Sequence, residues 1–340
     1  MHFVIIGQGI AGSMLSWFLI KKGAQVLVID EYDASSGSRI AGGLLNPITG
    51  RRFVKTWMAD VIFPFAGNAY RELEDALQVS FFYPSPIYKI LYTNESINNW
   101  QARLSDPSYQ SFLKDDTLVT LDEKQFHPHR AFTISGGYRL DTRKLLDAYR
   151  EWLRATNRLL EGYYPWRELR QQYANSTIVF CNGWAYHQES PFADLPFVPT
   201  KGEVVLAEIE NLRLPGVING AVTLMPTSAA EVYYAGATMN KQFRDGQPSA
   251  EGLEEITTAL NAIIRLPYKI VGHYAAIRPA VKDRRPLVGF HHTLKKTAIF
   301  NGMGTKGYSL APWLANHFAE VLTCGGEVFP EVNVGRYYRP

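Results

Sequence analysis

The stretch FVIIGQGIAG, residues 3–12, decides the fold class of this chain. Its first four residues form a continuous apolar run typical of a buried parallel strand, and Gly7-Gln8-Gly9-Ile10-Ala11-Gly12 follows at once. Apolar residues then recur at helical spacing as far as Gly23, and VLVID (26–30) gives a second buried strand. A strand, a glycine turn, a helix and a strand make a βαβ unit, which predicts an α/β protein.

The glycine positions in this unit are typical of dinucleotide binding. Gly7 permits a tight turn, Gly9 lets the backbone approach a pyrophosphate, and Gly12 allows the helix to pack closely on the strand. The helix N-terminus offers free N–H groups to phosphate, and Asp30 is placed to accept a hydrogen bond from a ribose hydroxyl. GxGxxG also occurs in ordinary tight turns. Here, however, the two strands, the helix and the acidic Asp30 all stand where a dinucleotide-binding unit requires them. The motif alone leaves FAD and NAD open.

The composition of the whole chain excludes several classes of protein. With 35 Lys+Arg against 32 Asp+Glu the formal net charge is +3, which gives no strong electrostatic reason for binding nucleic acid or an anionic membrane. The two cysteines, Cys181 and Cys324, lack CxxC spacing, which argues against a disulfide scaffold or a zinc site and favours a reducing, cytoplasmic setting. No basic n-region precedes the apolar N-terminus, so we expect no signal peptide, and glycines and serines interrupt the run, so we expect no membrane helix there.

A second strand, glycine turn and helix stand near the C-terminus. A buried strand is predicted over 297–300, followed by the turn GMGTKG (302–307) and an amphipathic helix. A helix N-terminus in this position can stabilise negative charge that develops on a bound ring. The alternative is a second βα turn with a purely structural role.

The region between these two units has a different pattern. Residues 198–280 give several strands separated by turns, with one helix over about 249–265, which predicts an antiparallel sheet. We therefore expect a Rossmann-like dinucleotide-binding domain interleaved with an α+β substrate domain built on a mostly antiparallel sheet. The predicted ranges are 1–75, 136–190 and 281–340 for the first domain, and 76–135 and 191–280 for the second.

With these motifs in this order, the chain resembles the D-amino-acid oxidase-like FAD-dependent oxidoreductases, which include glycine oxidase and sarcosine oxidase. The resemblance extends along most of the chain. The turn GMGTKGYSLAP is most similar to that of the oxidoreductase half of the bifunctional enzyme that makes 5-methylaminomethyl-2-thiouridine in tRNA. The resemblance implies FAD as the cofactor, so that the first domain is a Rossmann-like FAD-binding domain. It also implies oxidation of the C–N bond of an amine or amino acid. Hydride would pass from the α-carbon to flavin N5, and water would hydrolyse the imine.

The resemblance also implies which residues contact the cofactor and the substrate. Arg278 matches the arginine that holds the substrate carboxylate in amino-acid oxidases of this family, and its alternative role is a solvated or fold-bridging arginine. Neither cysteine lies where sarcosine oxidase-like relatives join FAD covalently, so we expect non-covalent FAD. The histidine spacing predicts no metal site. The implied FAD contacts are Gly7, Gly9, Ile10, Ala11, Gly12, Asp30, Glu31, Ser38, Arg39, Ala41, Gly42, Gly43, Leu44, Asn46, Gly183, Gly302, Gly304, Thr305, Lys306, Gly307 and Tyr308.

Three alternatives for the function stay open at this point. The substrate is a small amine or amino acid, or it is the carboxymethylaminomethyl group of a tRNA wobble uridine, although a net charge of +3 gives little support for a large tRNA footprint. A chain that begins at the dinucleotide motif is not expected to carry the methyltransferase half of the bifunctional enzyme. The third alternative belongs to another class of function: a non-catalytic flavoprotein that uses FAD as structure and whose strand-rich domain binds a partner. An NAD-linked dehydrogenase is disfavoured by the second glycine turn. The sequence predicts no oligomeric state.

Overall fold

The βαβ unit predicted from the first thirty residues lies at the centre of the first sheet. The computed structural model describes residues 2–50, 52–113, 119–128, 130–187 and 190–338. In it, strand β1 (His2–Ile6) pairs in parallel with β2 (Gln25–Asp30), and helix α1 (Ile10–Lys21) connects them. The predicted α/β class is confirmed.

The remaining elements follow in chain order. The helices are α2 (Gly37–Ile40), α3 (Ala59–Leu77), α4 (Asn94–Leu104), α5 (Thr142–Ala155), α6 (Trp166–Gln172), α7 (Ala250–Asn261) and α8 (Gly307–Cys324). The strands are β3 (Leu44–Leu45), β4 (Ile48–Thr49), β5 (Val54–Lys55), β6 (Phe82–Pro84), β7 (Ile87–Leu91), β8 (Arg130–Ile134), β9 (Tyr138–Leu140), β10 (Leu159–Glu161), β11 (Thr177–Phe180), β12 (Thr200–Glu208), β13 (Val217–Asn219), β14 (Thr223–Pro226), β15 (Val232–Gly236), β16 (Lys269–Arg278), β17 (Leu287–Phe290) and β18 (Thr297–Asn301). A 3-10 turn, Gly304–Lys306, precedes α8.

The first sheet brings three glycine-containing turns to one edge. Its strand order is β10-β2-β1-β11-β18-β17, and β1, β11 and β18 run parallel, whereas β17 is antiparallel to β18. The carboxyl ends of parallel strands meet at the same edge, where ligands of such sheets bind. The turns that begin at Gly7, Asn182 and Gly302 therefore lie next to one another.

The second sheet is mostly antiparallel, as predicted. Its strand order is β16-β12-β15-β14-β13-β7-β8, and only the contact between β13 and β7 is parallel among the described pairs. Ser249 begins α7 by accepting a hydrogen bond from the N–H of Gly252. This helix contacts β12 and β15, and its Ile256 and Leu260 belong to the same hydrophobic core as Val205. One face of this sheet is therefore covered by α7, and the other is free to face the first sheet. The residue ranges of the two domains stay predictions.

Helix α1 is buried on nearly every side, which explains why its sequence is apolar throughout. It contacts β2 on the first sheet and α8 on its other side, and residues 10–19 are all buried. Its serines are satisfied within the core: the Ser16 hydroxyl lies 2.8 Å from the hydroxyl of Tyr149. In the described part of the chain, no helix is both long enough and apolar enough to cross a bilayer.

The close approach of α1 to β1 depends on Gly12. A Cβ atom at this position would lie 1.8 Å from the carbonyl oxygen of Gly7, a backbone atom that cannot move without opening the turn. We expect Gly12→Ala to destabilise the protein by about 3 kcal/mol, because overpacking here displaces the helix. Urea unfolding measures this change in the free energy of unfolding.

Gly67 provides the matched control, since it is also a helical glycine. The nearest atoms to a Cβ there would be the Tyr138 hydroxyl at 3.4 Å, Tyr138 Cζ at 3.6 Å and Arg71 Nη1 at 3.8 Å, all ordinary contact distances. Gly67→Ala should therefore stabilise α3 by about 0.5–1 kcal/mol through helix propensity. Equal effects of the two substitutions would contradict the role assigned to Gly12.

Candidate functional site

A cavity of about 760 Å³ lies at the carboxyl edge of the first sheet. Residues 6–11, 29–41 and 180–185 and the turn before α8 form one wall. The second sheet forms the opposite wall with Gly202 and Val204 of β12, Tyr234 of β15 and residues 275–279 of β16. The cavity therefore uses both sheets, and segments far apart in sequence meet in it.

The cavity brings together most of the residues that the sequence predicted. The predicted residues that line it are Gly7, Gly9, Ile10, Ala11, Asp30, Glu31, Ser38, Arg39, Ala41, Gly183, Arg278, Gly304, Thr305, Gly307 and Tyr308. Those that do not line it are Gly12, Gly42, Gly43, Leu44, Asn46, Gly302 and Lys306. For both groups, contact with a cofactor or substrate stays a prediction.

The predicted residues outside the cavity wall have other partners. Gly42 lies against Met225 and Tyr234, and the Asn46 side chain accepts a hydrogen bond from the N–H of Ile48. Lys306 turns away from the cavity, although its neighbours Thr305 and Gly307 line it. The Lys306 amine donates to the hydroxyls of Thr49 and Thr56 instead.

The carboxylate of Asp30 is held by three donors. One oxygen accepts from the N–H of Gln8 at 2.8 Å, and the other accepts from the N–H of Tyr32 at 3.0 Å and from Arg150 Nη1 at 2.6 Å. An ionised carboxylate offers about four lone-pair positions, so a further ribose hydroxyl can still be accepted. Sequence reasoning missed Arg150. Its signal was a charged residue on the apolar face of α5, one turn after Leu146 and before Leu153.

Ser38 joins three of the predicted segments. Its hydroxyl accepts a hydrogen bond from the N–H of Ile10 at 3.1 Å, and its carbonyl accepts one from the Tyr308 hydroxyl at 2.8 Å. Burial raises the pKa of Tyr308 well above its ordinary value, so this hydroxyl stays protonated and donates. The first glycine turn, the loop at 36–46 and the start of α8 are therefore fixed relative to one another.

Two buried polar atoms in the cavity wall have no hydrogen-bond partner among the described residues. They are Arg39 Nη2 and Asn182 Oδ1. Arg39 is 6% exposed, pairs with Asp147 through Nη1 at 2.5 Å, and stacks on Tyr32 with 4.4 Å to the ring centre. A buried donor without an acceptor costs about 1–3 kcal/mol, so the cavity suits a polar, anionic ligand. The residues present fit a dinucleotide with its pyrophosphate.

The comparison with protein families decides between the two dinucleotides. Residues 2–321 match the family model described as FAD dependent oxidoreductase. The chain belongs to the FAD-dependent oxidoreductase family. The predicted family and the predicted cofactor, FAD, are therefore confirmed, and FAD rather than NAD is the dinucleotide of this family.

Individual proteins resemble this FAD-dependent oxidoreductase at low identity. The tRNA 5-methylaminomethyl-2-thiouridine biosynthesis bifunctional protein MnmC of Marinobacter nauticus is 22% identical, and the match covers 99% of this chain but 58% of that protein. The crystal structure of iminodiacetate oxidase from a Chelativorans species is 17% identical with a TM-score of 0.75, covering 96% of this chain and 97% of that one. The crystal structure of glycine oxidase from Bacillus cereus is also 17% identical, with a TM-score of 0.74, and the match covers 96% of this chain and 96% of that one. These structures share the fold.

The remaining predictions about the site concern cysteine and metal. Cys181 lines the cavity, and burial raises the pKa of its thiol well above the ordinary value, whereas Cys324 is exposed at the end of α8. Non-covalent FAD stays a prediction. Within the described ranges, no group of three or more His, Cys, Asp or Glu side chains is arranged to hold a metal ion.

We expect Arg150→Met to destabilise the protein by about 2–3 kcal/mol, because it leaves the Asp30 carboxylate without its charged partner. The side chain of Arg150 is 5% exposed and that of Asp30 is 20% exposed. Urea unfolding measures the loss, and the FAD content of the purified variant reports on the cavity.

Arg154 provides the control for Arg150 on the same helix. Its side chain is 48% exposed, and among the described residues its ion pairs are with the exposed Glu151 and Glu161. Exposed pairs contribute about 0–1 kcal/mol, so Arg154→Met should change stability little. If both variants lost the same stability, the Asp30–Arg150 pair would have no special role.

Proposed function

We propose that this flavoprotein oxidises the C–N bond of an amine that carries a carboxylate, and that Arg278 holds this carboxylate. The supporting observation is a guanidinium on the cavity wall without an acidic partner. Arg278 Nη1 donates to the carbonyl oxygen of Thr238 at 3.2 Å. Among the described residues, no carboxylate forms an ion pair with Arg278 within 4.0 Å.

The fold holds the Arg278 side chain in one place. Arg278 is the last residue of β16, opposite Thr200 of β12, and its guanidinium lies over Gly202. Burial lowers the pKa of Arg278, but an arginine stays charged in proteins. A buried cation without an acid favours an anionic ligand, and a guanidinium can bind a carboxylate through two parallel hydrogen bonds.

Tyr234 places the loop at 36–46 against the same wall. Burial raises the pKa of its hydroxyl to about 12, although the charge of Arg278 opposes this, so the hydroxyl is neutral at pH 7. It is hydrogen-bonded to the backbone of Gly42. Arg278 and this loop are therefore connected through one side chain of β15.

FAD, when bound, supplies the oxidation itself by accepting a hydride from the carbon next to the nitrogen. The role proposed for this chain is to orient the substrate: Arg278 fixes the carboxylate, and with it the direction of the neighbouring carbon. The names of the structures that share the fold, iminodiacetate oxidase and glycine oxidase, describe oxidases of such compounds and support this substrate class.

The second candidate is the carboxymethylaminomethyl group of a tRNA wobble uridine. The observation in its favour is the match to MnmC over 99% of this chain. That group also has a carboxylate next to an amine, so Arg278 would hold it in the same way. The formal net charge of +3 disfavours a large RNA footprint and makes the small molecule our first choice.

Anaerobic bleaching of the flavin tests the proposal. Glycine, sarcosine and iminodiacetate are compared with methylamine and dimethylamine, and with undermodified tRNA. Bleaching by a carboxylated amine supports the first candidate, and bleaching by tRNA alone supports the second. If no compound bleached the flavin, the non-catalytic flavoprotein would be the better description.

We expect Arg278→Met to lower kcat/KM for a carboxylated amine about 100-fold, the effect of losing roughly 3 kcal/mol of charge-assisted hydrogen bonding. The rate with an amine that lacks a carboxylate should change less than about threefold, because that amine never used the guanidinium. Arg244→Met, at an exposed arginine, is the control variant. A uniform loss with both kinds of amine would contradict a carboxylate anchor.

Gly202→Ala should act through Arg278. A Cβ at Gly202 would lie 1.9 Å from Arg278 Nη2 and 2.2 Å from its Cζ, so the guanidinium must leave its position. We expect KM for a carboxylated amine to rise about tenfold or more. Combined with Arg278→Met, the substitution should cost little more than Arg278→Met alone, because both remove one interaction. Additive losses would show that Gly202 acts independently.

A further inference from the structure

Arg39 is a buried cation whose guanidinium has one paired and one unpaired terminal nitrogen. Its side chain lines the cavity. Nη1 donates to Asp147 Oδ1 of α5 at 2.5 Å, whereas Nη2 is buried and has no hydrogen-bond partner among the described residues. The backbone is fixed as well, since the Arg39 carbonyl accepts a hydrogen bond from Arg143 Nε at 3.4 Å. The guanidinium is therefore anchored on one side and open to a ligand on the other.

Arg39 stands next to the start of α1. Ser38, the residue before it, accepts a hydrogen bond from the N–H of Ile10 in the first turn of that helix. A Cβ atom at Gly9 would lie 2.9 Å from Ser38 Oγ, which shows how closely the two segments approach. A helix N-terminus favours phosphate, and a guanidinium can bind phosphate through parallel hydrogen bonds. Two independent features therefore point to one anion at this place.

A second buried guanidinium, that of Arg150, is already neutralised. It lies behind the cavity wall and pairs with Asp30 at 2.6 Å, and the two side chains are only 5% and 20% exposed. Asp147, by contrast, is 54% exposed, and water screens an exposed acid, so it neutralises Arg39 less completely. A buried cation that keeps part of its charge gains most from an anionic ligand. Arg39, rather than Arg150, is therefore the candidate for binding an anion.

Tyr32 connects the two guanidiniums. Arg39 and Arg150 both lie over its ring, with 4.4 Å and 5.1 Å between the guanidinium carbon and the ring centre. The Tyr32 N–H donates to Asp30 Oδ2 at 3.0 Å, and its φ of +57° is a backbone conformation that a tyrosine rarely adopts. Tyr32 also lines the cavity. Contacts therefore run without a break from Asp147 through both arginines to Asp30, the acid predicted to accept a ribose hydroxyl.

We propose that Arg39 binds the pyrophosphate of FAD and that Tyr32 and Asp147 position it for this contact. Asp147 holds Nη1, which leaves Nη2 for the ligand, and Tyr32 sets the distance between Arg39 and the ribose acceptor. The residues Asp30, Tyr32, Arg39, Asp147 and Arg150 are here called the ADP clamp. This inference concerns how the cofactor is held, and it does not depend on the substrate proposed above.

Release of FAD from the loaded protein tests the ADP clamp. Flavin fluorescence, followed as the protein is diluted, gives the dissociation constant of FAD. We expect Arg39→Met to raise this constant about 10- to 100-fold, the effect of losing one charge-assisted hydrogen bond. The urea midpoint of the flavin-free variant should stay the same or rise, because methionine removes a buried donor that has no acceptor. A lower midpoint with unchanged FAD binding would give Arg39 a structural role only and overturn the proposal.

Competition with nucleotides shows whether Arg39 recognises phosphate. ADP contains the pyrophosphate, and adenosine lacks it. The inhibition constant of ADP against FAD should rise about tenfold or more in Arg39→Met, whereas adenosine should compete no worse than with the wild type. An equal loss for both compounds would overturn the contact with pyrophosphate. Failure of ADP to displace FAD from the wild type would overturn the ADP clamp as a whole.

Double variants test the two positioning residues. Tyr32→Leu and Asp147→Asn should each raise the dissociation constant of FAD about three- to tenfold. In the Arg39→Met background they should add little, because they act through that side chain. Tyr32→Phe keeps the aromatic ring and should keep the affinity. Losses that add to that of Arg39→Met, or a loss in Tyr32→Phe equal to that in Tyr32→Leu, would contradict positioning.

Tyr83→Leu and Glu151→Gln are the matched controls. Tyr83 stacks with Arg139 at 4.6 Å but does not line the cavity, and Glu151 is an exposed acid one turn after Asp147 that pairs with Arg154. Neither substitution should change the affinity for FAD more than about twofold. Losses as large as those of Tyr32→Leu and Asp147→Asn would overturn the specific role of the clamp.

The outcomes are separate from those of the proposed function, because no amine is used. An unchanged dissociation constant of FAD in Arg39→Met would overturn the ADP clamp and leave the role of Arg278 intact. Weaker FAD binding in Arg39→Met, in a protein whose flavin no carboxylated amine bleaches, would support the ADP clamp and contradict the proposed function.

Discussion

The contact between α1 and β1 is the constraint on which the rest of the structure depends. Gly12 lets the helix lie against the turn at Gly7, and this places the helix N-terminus at the edge where β11 and β18 also end. Helix α8 then packs along α1, and its second residue, Tyr308, donates to the carbonyl of Ser38. One close approach of backbone to backbone therefore fixes both glycine turns and the loop between them. A side chain at Gly12 would disturb all three.

The balance of charge inside the cavity differs from that of the chain. A formal net charge of +3 describes a nearly neutral protein. Around the cavity, however, the three arginines differ in their partners. Arg150 lies behind the wall and neutralises Asp30, Arg39 shares Asp147 and keeps one nitrogen unpartnered, and Arg278 has no acid among the described residues. Anion affinity follows from these local partners, because a buried cation without an acid gains most from a ligand. Bulk charge could not have shown where an anion binds.

The sequence predicted those features that are carried by short segments. The first βαβ unit and the glycine turn before α8 each depend on residues that are close together in the sequence. Tyr234 and Gly202 reach the cavity wall through strand pairing in the second sheet, and Arg150 reaches Asp30 from α5. No local pattern marks these residues except the charge of Arg150 on an apolar helix face. Lys306 was predicted at the cofactor because it stands inside the glycine turn. In a 3-10 turn consecutive side chains point about 120° apart, so Thr305 and Lys306 cannot both face the cavity.

This rotation gives one short turn two roles on its two sides. Thr305 and Gly307 complete the cavity wall, whereas the Lys306 amine donates to the hydroxyls of Thr49 and Thr56. These two hydrogen bonds tie the turn to the segment 49–56 on the side away from the cavity. The turn therefore shapes the cavity with one side and is held in place by the other, so a residue inside a glycine motif can serve the site without contacting a ligand.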